Sequence, residues 1–180
     1  MKIAQGWLSA STQLLSPNTD PRPDEADISL LVVHNISLPP EQFGGPYIGQ
    51  LFGNCLDPDQ HPYFAEIAHL KVSSHLLIDR SGSIMQFVPF QQRAWHAGVS
   101  EFEGRSNCND FSIGIEMEGA DNIAYTDRQY NVLAEVTQVV LQAYPLITTD
   151  RIVGHSEIAP GRKTDPGPAF DWPRYKNALI

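Results

Sequence analysis

Apolar residues in this chain concentrate in short stretches that predict strands. Residues 29–34 form a continuous β-favouring run that ends at His34, which is typical of a strand buried on both faces of a sheet. Residues 111–119 alternate instead: Phe111 and every second residue after it to 117 are apolar, and small or acidic residues, Glu116 among them, lie between. Alternation with a period of two predicts a strand with two unlike faces, and we expect the face of Glu116 to leave room for a ligand.

The rest of the pattern adds helices and a hairpin. Residues 74–78 and 84–88 predict two strands joined by a tight turn. Thr126 is a favourable N-cap for the longest helix, whose broad apolar face continues to Tyr144, before a proline. A last short helix is predicted over residues 171–179. Strands interleaved with helices predict an α/β domain with a mixed central β-sheet flanked by helices.

Two long segments, residues 1–28 and 35–62, show no periodic pattern and contain several prolines. We expect the first to be an extended lead-in without regular elements. The second is predicted to be a long functional loop with one helical turn near residues 47–52, followed by a short helix over 64–70.

The composition fits one globular domain. The chain has 180 residues, a mass of 20.0 kDa and 42% hydrophobic residues, so we expect a single domain over residues 1–180. A formal net charge of −9 without clusters of Lys and Arg argues against nucleic-acid and anionic-membrane partners. No stretch resembles a signal peptide or a transmembrane helix, and Cys55 and Cys108 form no CxxC pair. We therefore expect a monomeric protein of the cytoplasm.

The densest group of chemically useful residues lies in residues 152–170. A short apolar stretch ends at His155, and a loop stiffened by prolines and glycines then carries Arg162, Lys163 and Asp165. Charged residues on rigid loops at strand ends are common in binding and catalytic sites, so this loop is a candidate site.

Of the six histidines, His34 and His155 share one context, directly after an apolar stretch. If the two strands are neighbours in the sheet, both imidazoles emerge at one edge, and Asp165 can complete the three ligands of an open, catalytic zinc site. A histidine after a strand is also commonly a hydrogen-bonded structural residue, and no HExxH motif is present. The residues alone leave both interpretations open, and they leave His75 and His96 open as core residues or as partners of the site.

Five motifs, in this order along the chain, resemble those of the zinc N-acetylmuramoyl-L-alanine amidases. They are HN at residues 34–35, AWHAG at 94–98, FSIGIEMEG at 111–119, GH at 154–155 and APGRKTDPG at 159–167. The likeness covers nearly the whole chain and is greatest to the cytoplasmic members of the family that act in cell-wall recycling. It implies the fold shared by phage amidase lysozymes and peptidoglycan recognition proteins.

The resemblance implies a zinc ion held by His34, His155 and Asp165, and it assigns catalytic roles to Glu116 and Lys163. In such a site zinc lowers the pKa of a water molecule to about 7. Glu116 is then the expected general base, and Lys163 is expected to stabilise the negative oxygen of the tetrahedral intermediate. The reaction implied is hydrolysis of the amide between the lactyl group of anhydro-N-acetylmuramic acid and L-alanine.

A muramyl peptide carries several carboxylates, so an acidic protein needs a local basic lining to bind it. We expect Lys71, Arg105 and Arg162 to supply that lining, with Asn35 as a polar contact beside the metal. The resemblance also places Trp95 on the substrate groove. Close relatives often carry arginine where this chain has Lys71, and lysine lacks the bidentate grip of arginine on a carboxylate.

Two other functions are compatible with the same motifs. A recognition module would bind peptidoglycan without cutting it, and a lytic or periplasmic amidase would act on the intact wall. The complete set of three ligands and two catalytic residues favours an enzyme over a binding module, and the lack of a signal peptide favours a small, soluble muropeptide as substrate.

Overall fold

Twelve strands and five helices make up the regular structure in a computed structural model that describes residues 1–180. The strands, β1 to β12 in chain order, are Ile3–Ala4, Trp7–Leu8, Thr12–Gln13, Thr19–Pro21, Leu30–Ile36, Leu76–Ile78, Ile84–Gln86, Gln92–Ala94, Glu101–Phe102, Arg105–Ser106, Ser112–Glu118 and Ile152–Gly154. The helices, α1 to α5, are Tyr47–Phe52, Pro62–Ile67, Asp127–Ala143, His155–Ile158 and Trp172–Asn177. Short 3₁₀ turns lie at Pro58–Gln60, Cys108–Asp110 and Thr149–Arg151.

Six strands form the central sheet, in the order β12-β5-β11-β6-β7-β3. The first four run parallel to one another, whereas β7 is antiparallel to β6 and β3 is parallel to β7. The predicted mixed sheet is therefore confirmed. No helix has both the length and the apolar character that crossing a membrane requires.

The register of the parallel strands brings two histidines to one edge of the sheet. His34 in β5 is the Cα partner of Glu116 in β11, and Gly154 at the end of β12 is the partner of Val33. His155 follows Gly154 directly, so both imidazoles emerge at the carboxyl ends of adjacent strands. The predicted metal site requires that the strands before His34 and His155 be neighbours in the sheet, and β5 and β12 are.

Helices cover the sheet on both faces. α3 packs against β5, β6 and β11 on one face, and α1 and α2 pack near β6 and β7 on the other. All seven residues of β11 are buried, including Glu116. The space expected beside Gly114 is filled by the imidazole ring of His96. A Cβ atom at residue 114 would lie 2.5 Å from Cγ of that ring.

The ends of several elements differ from those predicted. α3 begins as expected after Thr126, whose hydroxyl accepts from the backbone N–H of Gln129 at 3.1 Å. Residues 1–28, expected to be irregular, contain four strands of two or three residues each. Both strands of the predicted hairpin are three residues long because only these residues pair within the ladder.

Candidate metal and catalytic site

Three potential ligand atoms meet at the edge of the sheet. Nδ1 of His34, Nδ1 of His155 and Oδ2 of Asp165 each lie 3.0 Å from the other two. Both histidines are buried, and the aspartate is largely shielded from solvent. The structure thus brings together the three residues that the sequence suggested as ligands.

Local backbone contacts place the loop that carries Asp165. The backbone N–H of Ser156 donates to the carbonyl of Asp165 at 3.0 Å, which ties the loop to the start of α4. A side chain at Gly154 would obstruct this approach, since a Cβ atom there would lie 2.8 Å from Cδ of Pro166. Glycine at the end of β12 therefore lets the carboxylate reach both imidazoles.

Charge at this cluster favours a cation. Burial lowers the pKa of His34 to about 4, so its imidazole is neutral at pH 7. Burial raises the pKa of Asp165, but the two imidazoles beside it lower it by more, so the carboxylate is ionised. A neutral imidazole beside an ionised carboxylate leaves negative charge among the three atoms, and a metal ion placed between them would balance that charge.

The spacing of the three atoms also fits zinc. Ligand atoms about 2.0–2.1 Å from a tetrahedral zinc ion lie about 3.3 Å from one another, close to the separations observed. Two imidazole nitrogens and one carboxylate oxygen form a donor set that zinc commonly uses in catalytic sites, and it leaves a fourth position open.

Glu116 and Lys163, the two predicted catalytic residues, line the same cavity as the three ligands, a space of about 320 Å³. Glu116 is buried, and its Oε2 has no hydrogen-bond partner. Burial, together with the negative charge of Asp165, raises the pKa of Glu116 well above its ordinary value. A buried carboxyl group with a free oxygen is poised to exchange a proton.

A tight turn brings Lys163 to the cavity. Its backbone N–H and that of Arg162 both donate to the carbonyl of Ala159, at 3.0 and 3.1 Å. Lys163 is exposed to solvent and lines the cavity together with Asp165.

Of the residues predicted to bind substrate, two line this cavity. They are Asn35, whose amide donates to Asp121 at 2.9 Å, and Trp95, whose indole N–H donates to Asp20 at 3.1 Å. Apolar side chains from the long loop, from α1 and α2, and from the segment that follows α2 continue the wall: Leu38, Phe52, Tyr63, Ile67 and Val72. The sequence predicted a functional loop over residues 35–62 but did not single out these residues, because they show no shared periodicity.

The three predicted basic contacts lie outside the cavity lining. Lys71 is exposed between two lining residues, and Arg105 pairs with Asp27 at 2.5 Å. Nη2 of Arg162 donates to the carbonyls of Ala97 and Val99, both at 2.7 Å. The hydrogen bonds of Arg105 and Arg162 serve the protein itself, and a role for any of the three in substrate binding stays a prediction.

Two further groups near the ligands could not be identified from the sequence. The ring of His96 lies 2.9 Å from Nε2 of His34, and the carbonyl of Ala97 accepts from Nε2 of His155 at 3.1 Å. The sequence left His96 open between core and site, and the structure places it against a ligand. No local pattern could have shown this contact, since 62 residues separate the two histidines.

Comparisons with known proteins agree with this arrangement. A family model described as N-acetylmuramoyl-L-alanine amidase matches residues 24–168. The 1,6-anhydro-N-acetylmuramyl-L-alanine amidase AmpD of Salmonella typhimurium (strain SL1344) is 62% identical over 98% of this chain and 93% of its own. The crystal structure of a selenomethionine derivative of AmpD superimposes with a TM-score of 0.97 at 57% identity, covering 100% of both chains.

A more distant structure is informative about ligands. It is the complex of AmiD from E. coli with anhydro-N-acetylmuramic acid-L-Ala-D-γ-Glu-L-Lys, with a TM-score of 0.63 at 27% identity over 96% of this chain and 62% of that one. The family match spans most of the chain and includes the three candidate ligands and both catalytic candidates. The chain belongs to the N-acetylmuramoyl-L-alanine amidase family.

Proposed function

We propose that this chain is a zinc-dependent amidase of cell-wall recycling, which hydrolyses the amide between the lactyl group of anhydro-N-acetylmuramic acid and L-alanine. The main support for the proposal is the geometry of the site. One atom each of His34, His155 and Asp165 lie 3.0 Å from one another, and the cavity they line is also lined by Glu116 and Lys163. The high identity to AmpD supports the anhydro form of the sugar.

His34, His155 and Asp165 would hold the zinc ion. Bound there, zinc would supply Lewis-acid chemistry, polarising a carbonyl and acidifying water. The remaining work falls to side chains of the protein, which must move protons and stabilise charge.

Glu116 is suited to carry the proton through the reaction. Its free Oε2 would accept a proton from the attacking water and later give it to the nitrogen of the leaving alanine. The C–N bond then breaks, leaving a carboxylate on the lactyl group and an amine on the peptide. A raised pKa suits this exchange, because the carboxyl group must both bind and release the proton near neutral pH.

Lys163 would stabilise the negative charge that develops on the carbonyl oxygen. Lys163 lines the cavity and belongs to the loop that also carries Asp165. A fixed positive charge near a developing oxyanion lowers the energy of the transition state more than that of the bound substrate.

The cavity suits a small muropeptide. AmiD binds an anhydromuramyl tripeptide, and the apolar wall that includes Phe52, Tyr63 and Trp95 would pack against the sugar of a similar ligand here. Asn35 would supply a polar contact near the metal, and Lys71, Arg105 and Arg162 would attract the carboxylates of the stem peptide. We further propose that the protein acts as a monomer in the cytoplasm, where such soluble fragments would be met.

Product analysis tests this function. Zinc-loaded protein is incubated with anhydro-N-acetylmuramyl-L-Ala-D-γ-Glu-L-Lys, and the products are identified by mass spectrometry. We expect the free anhydro-sugar and a tripeptide with an amino-terminal L-alanine, formed roughly 10²–10⁴-fold more slowly by the Glu116→Gln variant. Tight binding of the intact ligand without cleavage would overturn the enzyme and favour a recognition module.

A further inference from the structure

A chain of hydrogen bonds leads from the backbone to the ligand His34. It begins at Ser112, whose hydroxyl donates to the carbonyl of Cys108 at 2.5 Å. A hydroxyl group has one hydrogen, so toward Nε2 of His96, 3.1 Å away, the same oxygen must accept. Nε2 of His96 therefore carries a hydrogen.

The next link follows from the neutral state of His96. The ring is buried and its partners are Ser112 and His34, neither of which is an anion, so a charged imidazolium would be costly there. A neutral imidazole with hydrogen on Nε2 has a bare lone pair on Nδ1. That lone pair lies 2.9 Å from Nε2 of His34, which must then donate.

The hydrogen bond to His96 determines whether Nδ1 of His34 can bind a metal ion. With its hydrogen on Nε2, neutral His34 has a lone pair on Nδ1, the atom that faces His155 and Asp165 at 3.0 Å. The opposite tautomer would place a hydrogen where a metal ion must bind. The contact to His96 thus selects the form of His34 that can act as a ligand.

The adjacent residue performs the same task for the second histidine. The carbonyl of Ala97 can only accept, so Nε2 of His155, 3.1 Å away, donates to it, and in a neutral ring the lone pair is then on Nδ1. Asn109 fixes both contacts, because its Oδ1 accepts from the backbone N–H groups of His96 and Ala97 at 3.1 and 2.8 Å.

We propose that His96, held by Ser112, is a positioning residue that fixes His34 in the Nε2–H tautomer and so prepares the zinc site before metal binds. The inference rests on the metal site of the proposed function and gives His96 a role toward the first ligand. Gly114 is needed for this contact, because any larger residue there would clash with the imidazole of His96.

A pair of nearly isosteric variants tests the proposal. In His96→Asn the side-chain oxygen can accept from His34 at the place of the original Nδ1, whereas His96→Leu has similar volume and no acceptor. Zinc affinity is measured by competition with a chelator, starting from metal-free protein. We expect His96→Leu to bind zinc about 10–100-fold more weakly than wild type and His96→Asn to retain most of the affinity.

A second measurement reads the tautomer directly. In the ¹⁵N NMR spectrum of metal-free wild type, His34 should carry hydrogen on Nε2, and in His96→Leu this preference should be lost. Hydrogen on Nδ1 of His34 in the wild type, or wild-type zinc affinity in His96→Leu, would overturn the proposal.

A third variant covers the case in which His96→Leu does not fold. Ser112→Ala removes only the hydroxyl, so His96 loses its preferred tautomer and zinc affinity should fall in the same direction by a smaller factor. Unchanged affinity and an unchanged His34 tautomer in that variant would also overturn the proposal. Neither readout involves amide cleavage, so an inactive protein that shows both expected results would refute the proposed function alone.

Discussion

The three ligand atoms lie together because two of them follow neighbouring parallel strands and the third is held by a loop that hydrogen-bonds to α4. Removing any one ligand leaves two, which is too few for tight zinc binding. We expect His34→Ala, His155→Ala and Asp165→Ala each to lose zinc and amidase activity together. Elemental analysis of purified variants checks the metal, with Glu118→Gln as a matched control at a buried carboxylate outside the cavity lining. A ligand variant that keeps one zinc per chain would remove its residue from the ligand set.

Glu116 should behave differently, because its proposed role is proton transfer and its carboxylate is not among the converging atoms. We expect Glu116→Gln to retain zinc and to lower kcat by roughly 10²–10⁴-fold, the usual contribution of a positioned acid or base. Loss of zinc from this variant would instead make Glu116 a ligand.

The raised pKa of Glu116 also predicts an effect on stability. Since folding favours the protonated carboxyl, its contribution is complete below the ordinary carboxyl range and is lost as pH rises through the raised value. Glutamine has no proton to lose, so the Tm of metal-free Glu116→Gln should exceed that of wild type by more at pH 8 than at pH 5. Each kcal/mol corresponds to roughly 2–4 °C in a protein of this size. Calorimetry at both pH values checks this, and equal differences would argue against a buried, strained carboxylate.

Some of these residues carry a local signal in the sequence, and others do not. His34 and His155 were found because both follow apolar strands, a signal that depends on neighbouring residues alone. Asp165 is a candidate third ligand because a stiff loop ties it to His155, and Glu116 is marked by the two unlike faces of its strand; the catalytic role of Glu116 follows only from the family resemblance. The contact of His96 with His34 arises from tertiary packing over Gly114, which no spacing in the sequence encodes.

At the scale of elements, α3 is the clearest case of a structure fixed by local sequence. The hydroxyl of Thr126 accepts from the N–H of Gln129, and Oε1 of Gln129 accepts from the N–H of Thr126, both at 3.1 Å. This reciprocal capping satisfies two backbone donors at the helix start. The same Gln129 donates to the carbonyl of Glu118 at 2.9 Å, so the cap also ties α3 to the end of β11.

Removing the cap should therefore destabilise the fold without altering the site. We expect Thr126→Ala to lower the free energy of unfolding by about 1 kcal/mol, and Thr126→Ser, which keeps the hydroxyl, to have a smaller effect. Urea titration of both variants measures the difference. A loss in Thr126→Ser as large as in Thr126→Ala would assign the effect to the methyl group and its packing.

The sequence did not predict β1 to β4, and the reason is their length. β1 to β4 are two or three residues long, too short to show a period of two. β1 and β2 pair with each other, whereas β3 and β4 pair with β7 and β8, far along the chain. β3 joins the central sheet only because β7 offers it an edge. By contrast, β5 and β11 span seven residues each and were evident from their patterns.

At the scale of the whole molecule, the cavity is bounded on one side by the metal site and on the other by the long loop and α1 and α2. Its volume of about 320 Å³ suits a short ligand better than a crosslinked polymer. We expect kcat/KM for soluble anhydro-muropeptides to exceed that for intact sacculi by roughly 100-fold or more, a difference of about 2.7 kcal/mol in the transition state. Parallel assays of released L-alanyl peptides measure both rates. Comparable values would favour a lytic amidase that acts on the wall.

The account depends most on one zinc ion held by His34, His155 and Asp165 and required for amide hydrolysis. Its most direct test is to titrate zinc into metal-free protein while measuring cleavage of an anhydromuramyl peptide. We predict that activity is absent without metal, rises in proportion to added zinc and levels off at one ion per chain, while Asp165→Ala shows no such rise. Full activity in protein verified to be free of metal would contradict the account.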